Sequence, residues 1–490
     1  MTTLTSILDR SARNFPDEVA LLGPGPGDRL TYRALRERSL RWAGAIAAAG
    51  VGKGDRVGLL FGNVPEFAVA FFAALYAGGV AVPVNARLTP REASAILGHA
   101  ETRAVLCGEG LRDLAATAPL AFVPAELDAA TAERPERRAE PGDDAEVLYT
   151  SGTTGDPKGV VMTHGAALET AAMAAYEFGM RVRERVAVLM PLTHSAPLNL
   201  FLLGSVYTGS TVVLGTFDPR NPAAMLQTLQ DTRSQYLFAA PVAYLLALRA
   251  DPSRYDLSAM RLFVYGGAPM PREQVQAVRG AFGGRWMSVY GLTESGPNGM
   301  ALSDQDHLGH EGSIGWHPTV NVEVRLVDEA GRDVPQGQPG ELIMRTESAM
   351  RGYLGNPAAT AEVLRDGWVH TGDMTMRDDA GYYWILDRKK DLILSGGYNV
   401  YPREVEEAVL THPAVAEAAV VATPHPDWGE TVTAVVVLKS GFHLTLEELR
   451  VHLQDRLSSQ KQPRRLEVVE SLPRNPTGKL LRHELRRRIS

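Results

Sequence analysis

From Tyr149 to Gly159 the chain reads Tyr-Thr-Ser-Gly-Thr-Thr-Gly-Asp-Pro-Lys-Gly, and Val160 and Val161 follow. Glycines here let successive backbone N–H groups turn toward one anion, and the hydroxyls of Thr150, Ser151, Thr153 and Thr154 can add donors. Such a loop suits a phosphate. It is not a Walker loop, because the G-x-x-x-x-G-K-[ST] spacing is absent and Pro157 precedes Lys158. Taken alone, it fits either an anion cradle or a plain turn. Cys107 is the single cysteine, so no intramolecular disulfide can form, and its place in an apolar run reads as core packing. His307, His310 and His317 lie near Asp304, Asp306 and Glu311, but their spacing matches no zinc motif and reads as a polar loop.

The segments that must hold such a loop alternate in type. Arg56–Phe61 reads as a strand and Val64–Ala77 as a helix with Pro65 in its first turn, where a missing N–H costs little. Gly78 and Gly79 end it, and Val80–Val84 reads as the next strand. Arg91–Leu97 with Arg103–Cys107 is a second helix–strand step. Such βαβ units predict an α/β fold with parallel sheets covered by helices. Residues 115–144, rich in Ala, Pro and charge, read as a surface connection, and strand signals resume at Ala145–Tyr149. From Val320 the segments turn β-rich: Val322–Val327, Glu341–Met344 and Tyr382–Leu386. Residues 391–490 read as a small α+β unit.

Further motifs follow the loop in order: Gly266-Gly-Ala-Pro269, Tyr290-Gly-Leu-Thr-Glu294, Gly340-Glu-Leu342, Thr371-Gly-Asp373, Asp387-Arg-Lys-Lys-Asp391 and Pro473-Arg-Asn-Pro-Thr-Gly-Lys479. With Asn85-Ala-Arg-Leu-Thr-Pro-Arg-Glu92 near the front, the series spans the whole chain. It closely resembles the adenylate-forming superfamily of acyl- and aryl-CoA synthetases, adenylation domains and beetle luciferases. The resemblance implies a large N-terminal domain, residues 1–389, and a small mobile C-terminal domain, residues 390–490, with a hinge at Lys390. It also implies a two-step reaction. A carboxylate attacks the α-phosphate of ATP to give an acyl-adenylate and pyrophosphate, and a thiol, usually of coenzyme A, then displaces AMP.

The resemblance assigns roles residue by residue. Thr150, Ser151, Gly152, Thr153, Thr154, Gly155 and Lys158 cradle the β- and γ-phosphates. Glu294 holds Mg²⁺, a hard cation that prefers oxygen ligands, and Thr293 donates to the α-phosphate. Gly267, Ala268 and Pro269 line one wall of the adenine slot and Tyr290 the other. Asp373 accepts from the ribose hydroxyls with Arg388 assisting. Lys479 bridges the carboxylate and the α-phosphate, where charge concentrates in the transition state. Gly396 and Gly397 let the pantetheine arm of CoA pass. His194 matches the family's gate aromatic beside the acyl pocket, for which Ser195, Pro197, Asn199, Tyr265, Gly266, Gly291, Pro297 and Asn298 are the candidate lining. Amino-acid-activating relatives carry an Asp just after the gate. Here Ser195 stands there, and Thr193–Gly204 holds no acid, which argues against an amino-acid substrate. Asn199 and Asn298 are polar in a mainly apolar lining. An unpaired buried amide is costly, so they suggest an acid bearing a ring hydroxyl or keto group.

Composition bounds these readings. The 490 residues are 45% hydrophobic and 22% charged, which excludes whole-chain disorder, collagen and coiled coil. A net charge of −7 is not the footprint of a nucleic-acid binder. The sign is uneven: residues 472–490 hold six basic side chains against Glu484, which reads as a solvated terminal helix with a weak attraction for CoA phosphates. No run predicts a membrane span and no signal peptide is read, so a cytoplasmic enzyme is expected, acting on a small carboxylic acid with ATP and CoA. A ligase loading an acyl carrier protein is the second reading and a luciferase-like oxidoreductase a third. The oligomeric state is open, a homodimer included. Lys479→Ala is expected to abolish adenylate formation while preformed acyl-adenylate is still converted to thioester. Near-normal pyrophosphate exchange in that variant would contradict the role given to Lys479.

Overall fold

A computed structural model describes residues 2–25, 27–132, 135, 139–150, 157–395, 398–425, 429–474 and 480–489. The contacts divide the chain into two compact units, Met1–Val324 with Met344–His370, and Arg325–Ile343 with Thr371–Ser490.

The first unit contains two sheets. In the seven-stranded one, Asp144–Thr150, Val80–Asn85, Arg56–Phe61, Ala104–Cys107 and Ala121–Phe122 run parallel in that order. Lys158–Thr163 is added antiparallel at the Asp144–Thr150 side. In the nine-stranded sheet, Trp286–Gly291, Leu262–Gly266, Tyr236–Ala239, Arg185–Val188, Thr211–Leu214 and Val19–Leu22 are parallel, with antiparallel strands at both edges. The expected βαβ unit is present as Arg56–Phe61, helix Pro65–Tyr76 and Val80–Asn85. Every residue of that helix except Glu66 is buried, which is the pattern of a helix enclosed on all sides. Phe67, Phe71 and Phe72 join Trp42, Tyr32 and Phe201 in one apolar cluster that also takes in Leu59 and Leu148 of one sheet and Val188 and Val264 of the other. Helices therefore fill the space between the two sheets. Separate clusters cover the outer faces, one with helix Arg272–Phe282 and one with helix Pro90–His99.

Residues 115–144 depart from the expected plain connection. Ala121–Phe122 adds a strand to the sheet, and Pro124–Asp128 is a short helix. Its Asp128 carboxylate accepts from Arg38 Nη2 at 2.7 Å and Trp42 Nε1 at 2.7 Å, tying the segment to the helix Tyr32–Ala48. An element of two or five residues is too short to show a periodicity.

The second unit carries a sheet of Tyr398–Val400, Ile393–Ser395, Gly429–Leu438 and Val415–His425, with Arg465–Val468 parallel to Gly429–Leu438. Helices Pro402–Leu410 and Leu446–Leu453 bury Val405, Val409, Leu449 and Leu453 against it. The terminal helix Arg482–Ile489 buries Leu485 and Ile489 with Val421 and Val435. Two of its arginines are not the solvated charges expected. Arg482 Nη2 donates to both Glu406 oxygens at 2.6 and 2.8 Å, and Arg486 Nη2 to Asp391 Oδ1 at 2.6 Å. Breaking a buried ion pair leaves its partner's charge unpaired, which costs about 3–5 kcal/mol. Arg482→Ala is therefore expected to lower the urea midpoint of the second unit clearly, while Arg488→Ala, 62% exposed, leaves it unchanged.

Candidate active site

Parallel sheets gather ligands at the carboxyl ends of their strands, and the candidate residues of the first unit cluster there. Pro191–Asn199 follows Arg185–Val188, Gly267–Pro269 follows Leu262–Gly266, and Thr293–Ser295 follows Trp286–Gly291. Close backbone approach fixes these ends. A Cβ on Gly266 would strike the carbonyl of Val289 on the neighbouring strand, and one on Gly291 would lie 2.7 Å from Pro297. Gly267, at φ +76, turns the chain so that Gly267, Ala268 and Pro269 stand exposed beside the strand bearing Tyr290.

The loop residues Ser151, Gly152, Thr153, Thr154 and Gly155 lie outside the described residues. Their two strands are described: Thr150 pairs with Lys158 at the loop end of an antiparallel hairpin. Lys158 Nζ sits 4.9 Å from the centre of the Tyr353 ring, a cation–π distance. The hydroxyl of the same Tyr353 donates to Glu294 Oε1 at 2.7 Å. One tyrosine thus links the loop lysine to the carboxylate assigned to Mg²⁺. Glu294 offers the hard oxygen that ion takes, with the nucleotide's phosphates expected to complete its shell. Sequence reading missed Tyr353, which stands 59 residues from Glu294 in no motif.

Thr293 Oγ1 and Ser195 Oγ lie 3.0 Å apart, which joins the residue assigned to the α-phosphate to the first residue of the acyl lining. Ser195 precedes a π-helix, Ala196–Leu203, an uncommon form that recurs at functional sites. His194 Nε2 and Thr193 Oγ1 are buried without a hydrogen-bond partner among the described residues. Burial pushes the His194 pKa below its ordinary value, which favours the neutral ring. A narrow crevice of about 10 Å³, roughly the room of one water, is lined by the expected Tyr290 and Pro297, and by Met173, Phe178, Leu200 and Met300.

Three expected lining residues are committed elsewhere. Asn298 Nδ2 donates to Ser348 Oγ at 3.3 Å and its Oδ1 accepts from Thr319 Oγ1, so this amide is satisfied within the protein. Asn298 therefore presents no unpaired amide to a polar acid. Tyr265 packs with Trp286 and Phe263 in an outer cluster, and its hydroxyl meets His307 Nε2 at 3.1 Å. Asn199 turns into the core, where its Nδ2 donates to Glu146 Oε1 at 2.7 Å. His307 Nδ1 is 2.6 Å from the carbonyl of Ser303, so both its ring nitrogens are bonded. No group of three or more His, Cys, Asp or Glu that could hold a metal occurs among the described residues.

In the second unit, Asp373 pairs with Arg388 across a hairpin, and their side chains form an ion pair at 2.7 Å. Arg388 Nη1 also donates to Thr371 O at 3.0 Å. Glu341 of the quoted Gly-Glu-Leu motif accepts from Gly372 N at 3.2 Å and Lys389 Nζ at 3.1 Å, holding the Thr-Gly-Asp turn. Asp387 is buried and receives the N–H groups of Arg388 and Arg403, each at 2.7 Å. Lys390 is exposed in the short turn Lys389–Asp391. Gly396, Gly397 and Lys479 lie outside the described residues. Their neighbours are placed: Ser395 pairs with Tyr398, and Arg474 bridges Leu480.

The family model for AMP-binding enzymes matches residues 8–354, and that for the AMP-binding enzyme C-terminal domain matches residues 404–479. A feruloyl-CoA synthase of an Amycolatopsis species is 38% identical over 98% of each chain. A long-chain fatty acid–CoA ligase of Mycobacterium tuberculosis is 32% identical over 100% of this chain and 99% of its own. Among solved structures, the o-succinylbenzoate CoA synthetase of Bacillus subtilis in complex with its acyl-adenylate intermediate superposes with a TM-score of 0.89. It is 30% identical, over 98% of this chain and 97% of its own. The same enzyme has been solved with ATP and magnesium ion, at a TM-score of 0.88 and 29% identity over 98% of each chain. Tyr353→Phe, which removes one hydroxyl from the Glu294 contact, is expected to cut adenylation about tenfold at low Mg²⁺, less at saturating Mg²⁺, with an unchanged melting temperature. Unchanged kinetics at low Mg²⁺ would remove Tyr353 from the site.

Proposed function

The chain belongs to the AMP-binding enzymes, and from that premise we propose how its residues carry out the reaction and which acid they accept. It is an AMP-forming acid–thiol ligase, which activates a carboxylic acid as acyl-AMP with release of pyrophosphate and passes the acyl group to CoA. ATP, Mg²⁺ and CoA are its reactants and cofactor. The relatives favour CoA over a carrier protein as acceptor.

The first step brings a carboxylate against a triphosphate, so its barrier is mainly electrostatic. In our reading Thr150–Gly155 and Lys158 receive the terminal phosphates, and Thr293 orients the α-phosphate. Mg²⁺ at Glu294 supplies neutralising charge when bound. Tyr290 and Gly267–Pro269 flank the adenine, and the buried Asp373 holds the ribose with Arg388. Lys479 stabilises the charge that develops between carboxylate and α-phosphate. Lys390 serves as the hinge about which residues 390–490 turn between the two steps, and Gly396 and Gly397 border the pantetheine path. The cytoplasm, where ATP and CoA are supplied together, is the compartment this reading implies.

The acid is aryl or a bulky hydrophobic acyl. The 38% identity to a feruloyl-CoA synthase over 98% of each chain carries this reading. It is supported by the absence of an acid from Thr193–Gly204. A panel of acids incubated with ATP and CoA, with thioesters identified by mass, tests it. Hydroxycinnamic and benzoic acids are expected to lead in kcat/KM over amino acids and short aliphatic acids. A clear preference for acetate or an amino acid would overturn it.

A further inference from the structure

Glu146 lies in the middle of the strand Asp144–Thr150, which runs into the phosphate loop, and it is 0% exposed. Its neighbours in register are Ala81 and Met162, and Ala145 and Leu148 of the same strand belong to the apolar cluster between the sheets. A carboxylate there needs a compensating charge, but among the described residues Glu146 forms no ion pair. The charged and titratable groups on the surrounding elements are engaged elsewhere. Asp144 meets Arg351, Lys158 stands over Tyr353, His164 takes the N–H of Leu4, and Glu66 binds Arg38. Glu169 and Glu177 of the helix His164–Phe178 accept from Asn321 and Val320.

The one polar partner among the described residues is Asn199, on the π-helix Ala196–Leu203. Its Nδ2 donates to Glu146 Oε1 at 2.7 Å. The remaining atom on each side, Glu146 Oε2 and Asn199 Oδ1, is buried without a hydrogen-bond partner among the described residues. Two orphaned acceptors, one on each member of a bonded pair, are resolved by a single proton. A protonated carboxyl donates from Oε2 to the amide oxygen while Oε1 accepts from the amide nitrogen, and each group is then satisfied. We infer that Glu146 is a positioning residue: held neutral, it clamps Asn199, and so fixes the acyl-side π-helix to the strand that carries the phosphate loop. Burial independently favours this form. It pushes the Glu146 pKa up to about 7, against a smaller lowering by the Asn199 bond.

The clamp joins the two substrate sides of the reaction. The π-helix begins directly after His194 and Ser195, and Ser195 touches Thr293, while the strand ends at Thr150. This inference rests on the acyl-CoA synthetase reading for its effect on rate, but its proton can be tested without substrate. A carboxyl whose pKa is raised by folding contributes a stability fully present below its unfolded value of about 4.3. That stability is lost as the pH rises through the folded value. Glu146→Gln keeps the shape and both hydrogen bonds but has no proton to lose.

The experiment compares full-length wild type, Glu146→Gln and Glu146→Ala. The melting temperature of Glu146→Gln minus that of wild type is expected to grow from pH 5 to about pH 7 and to level off by pH 8. In pyrophosphate exchange at pH 7, Glu146→Ala is expected to fall at least tenfold in kcat, and Glu146→Gln to restore it to within about twofold of wild type. A melting difference that is flat across this range overturns the neutral clamp, as does a tenfold loss in Glu146→Gln. Should Glu146→Ala not fold, the pH dependence of the Gln variant decides alone. Wild type inactive on every acid would instead strike the functional reading and leave the melting test standing.

Discussion

A carboxylate and a triphosphate repel, and everything in this protein's proposed site serves to hold them together. Two unit charges 4 Å apart in a medium of intermediate dielectric interact by about 4 kcal/mol, so unshielded anions do not meet in a reactive pose. The remedy is fixed donors and cations, arranged before the substrates arrive. Parallel strands provide the rigid frame. Their carboxyl ends and the loops after them carry Gly267–Pro269, Tyr290, Thr293, Glu294 and His194. The hairpin of Asp144–Thr150 and Lys158–Thr163 adds the phosphate-binding segment from the other sheet. The core between the sheets, packed around Phe67, Phe71 and Phe72, keeps these two sources in register.

Specific polar links support the residues assigned to substrate in each unit. Tyr353 joins Lys158 and Glu294, and Thr293 meets Ser195. Ser348 and Thr319 occupy the Asn298 amide. In the second unit Glu341 and Arg388 brace the turn of Asp373. These links hold residues that face substrate in the proposed mechanism, either to one another or to side chains behind them. Such supports matter because a small displacement of a reacting group costs a large factor in rate.

Much of the frame was legible in the sequence. Pro65 and the Gly78-Gly79 pair bracket a helix that ends where expected, and Arg56–Phe61 and Val80–Asn85 flank it as parallel strands. The ordered motifs carried the family. What could not be read were the contacts made across long stretches of chain: Tyr353 with Glu294, Asn298 with Ser348, Arg486 with Asp391. The pattern of an apolar segment cannot separate a π-helix from an α-helix, so Ala196–Leu203 left no distinct trace. Composition likewise made a solvated tail of arginines that the fold pairs with acids. Glu146 did leave a signal, an acid set between the apolar residues Ala145 and Val147, which only the structure resolves by supplying Asn199.

The central claim is that this chain forms an acyl-adenylate before any thiol takes part. Exchange of labelled pyrophosphate into ATP, driven by an aromatic acid and run without CoA, tests it most directly. The account predicts acid-dependent exchange in the absence of CoA, and one AMP released per thioester once CoA is added. Release of ADP and phosphate, or exchange that requires CoA, would contradict it.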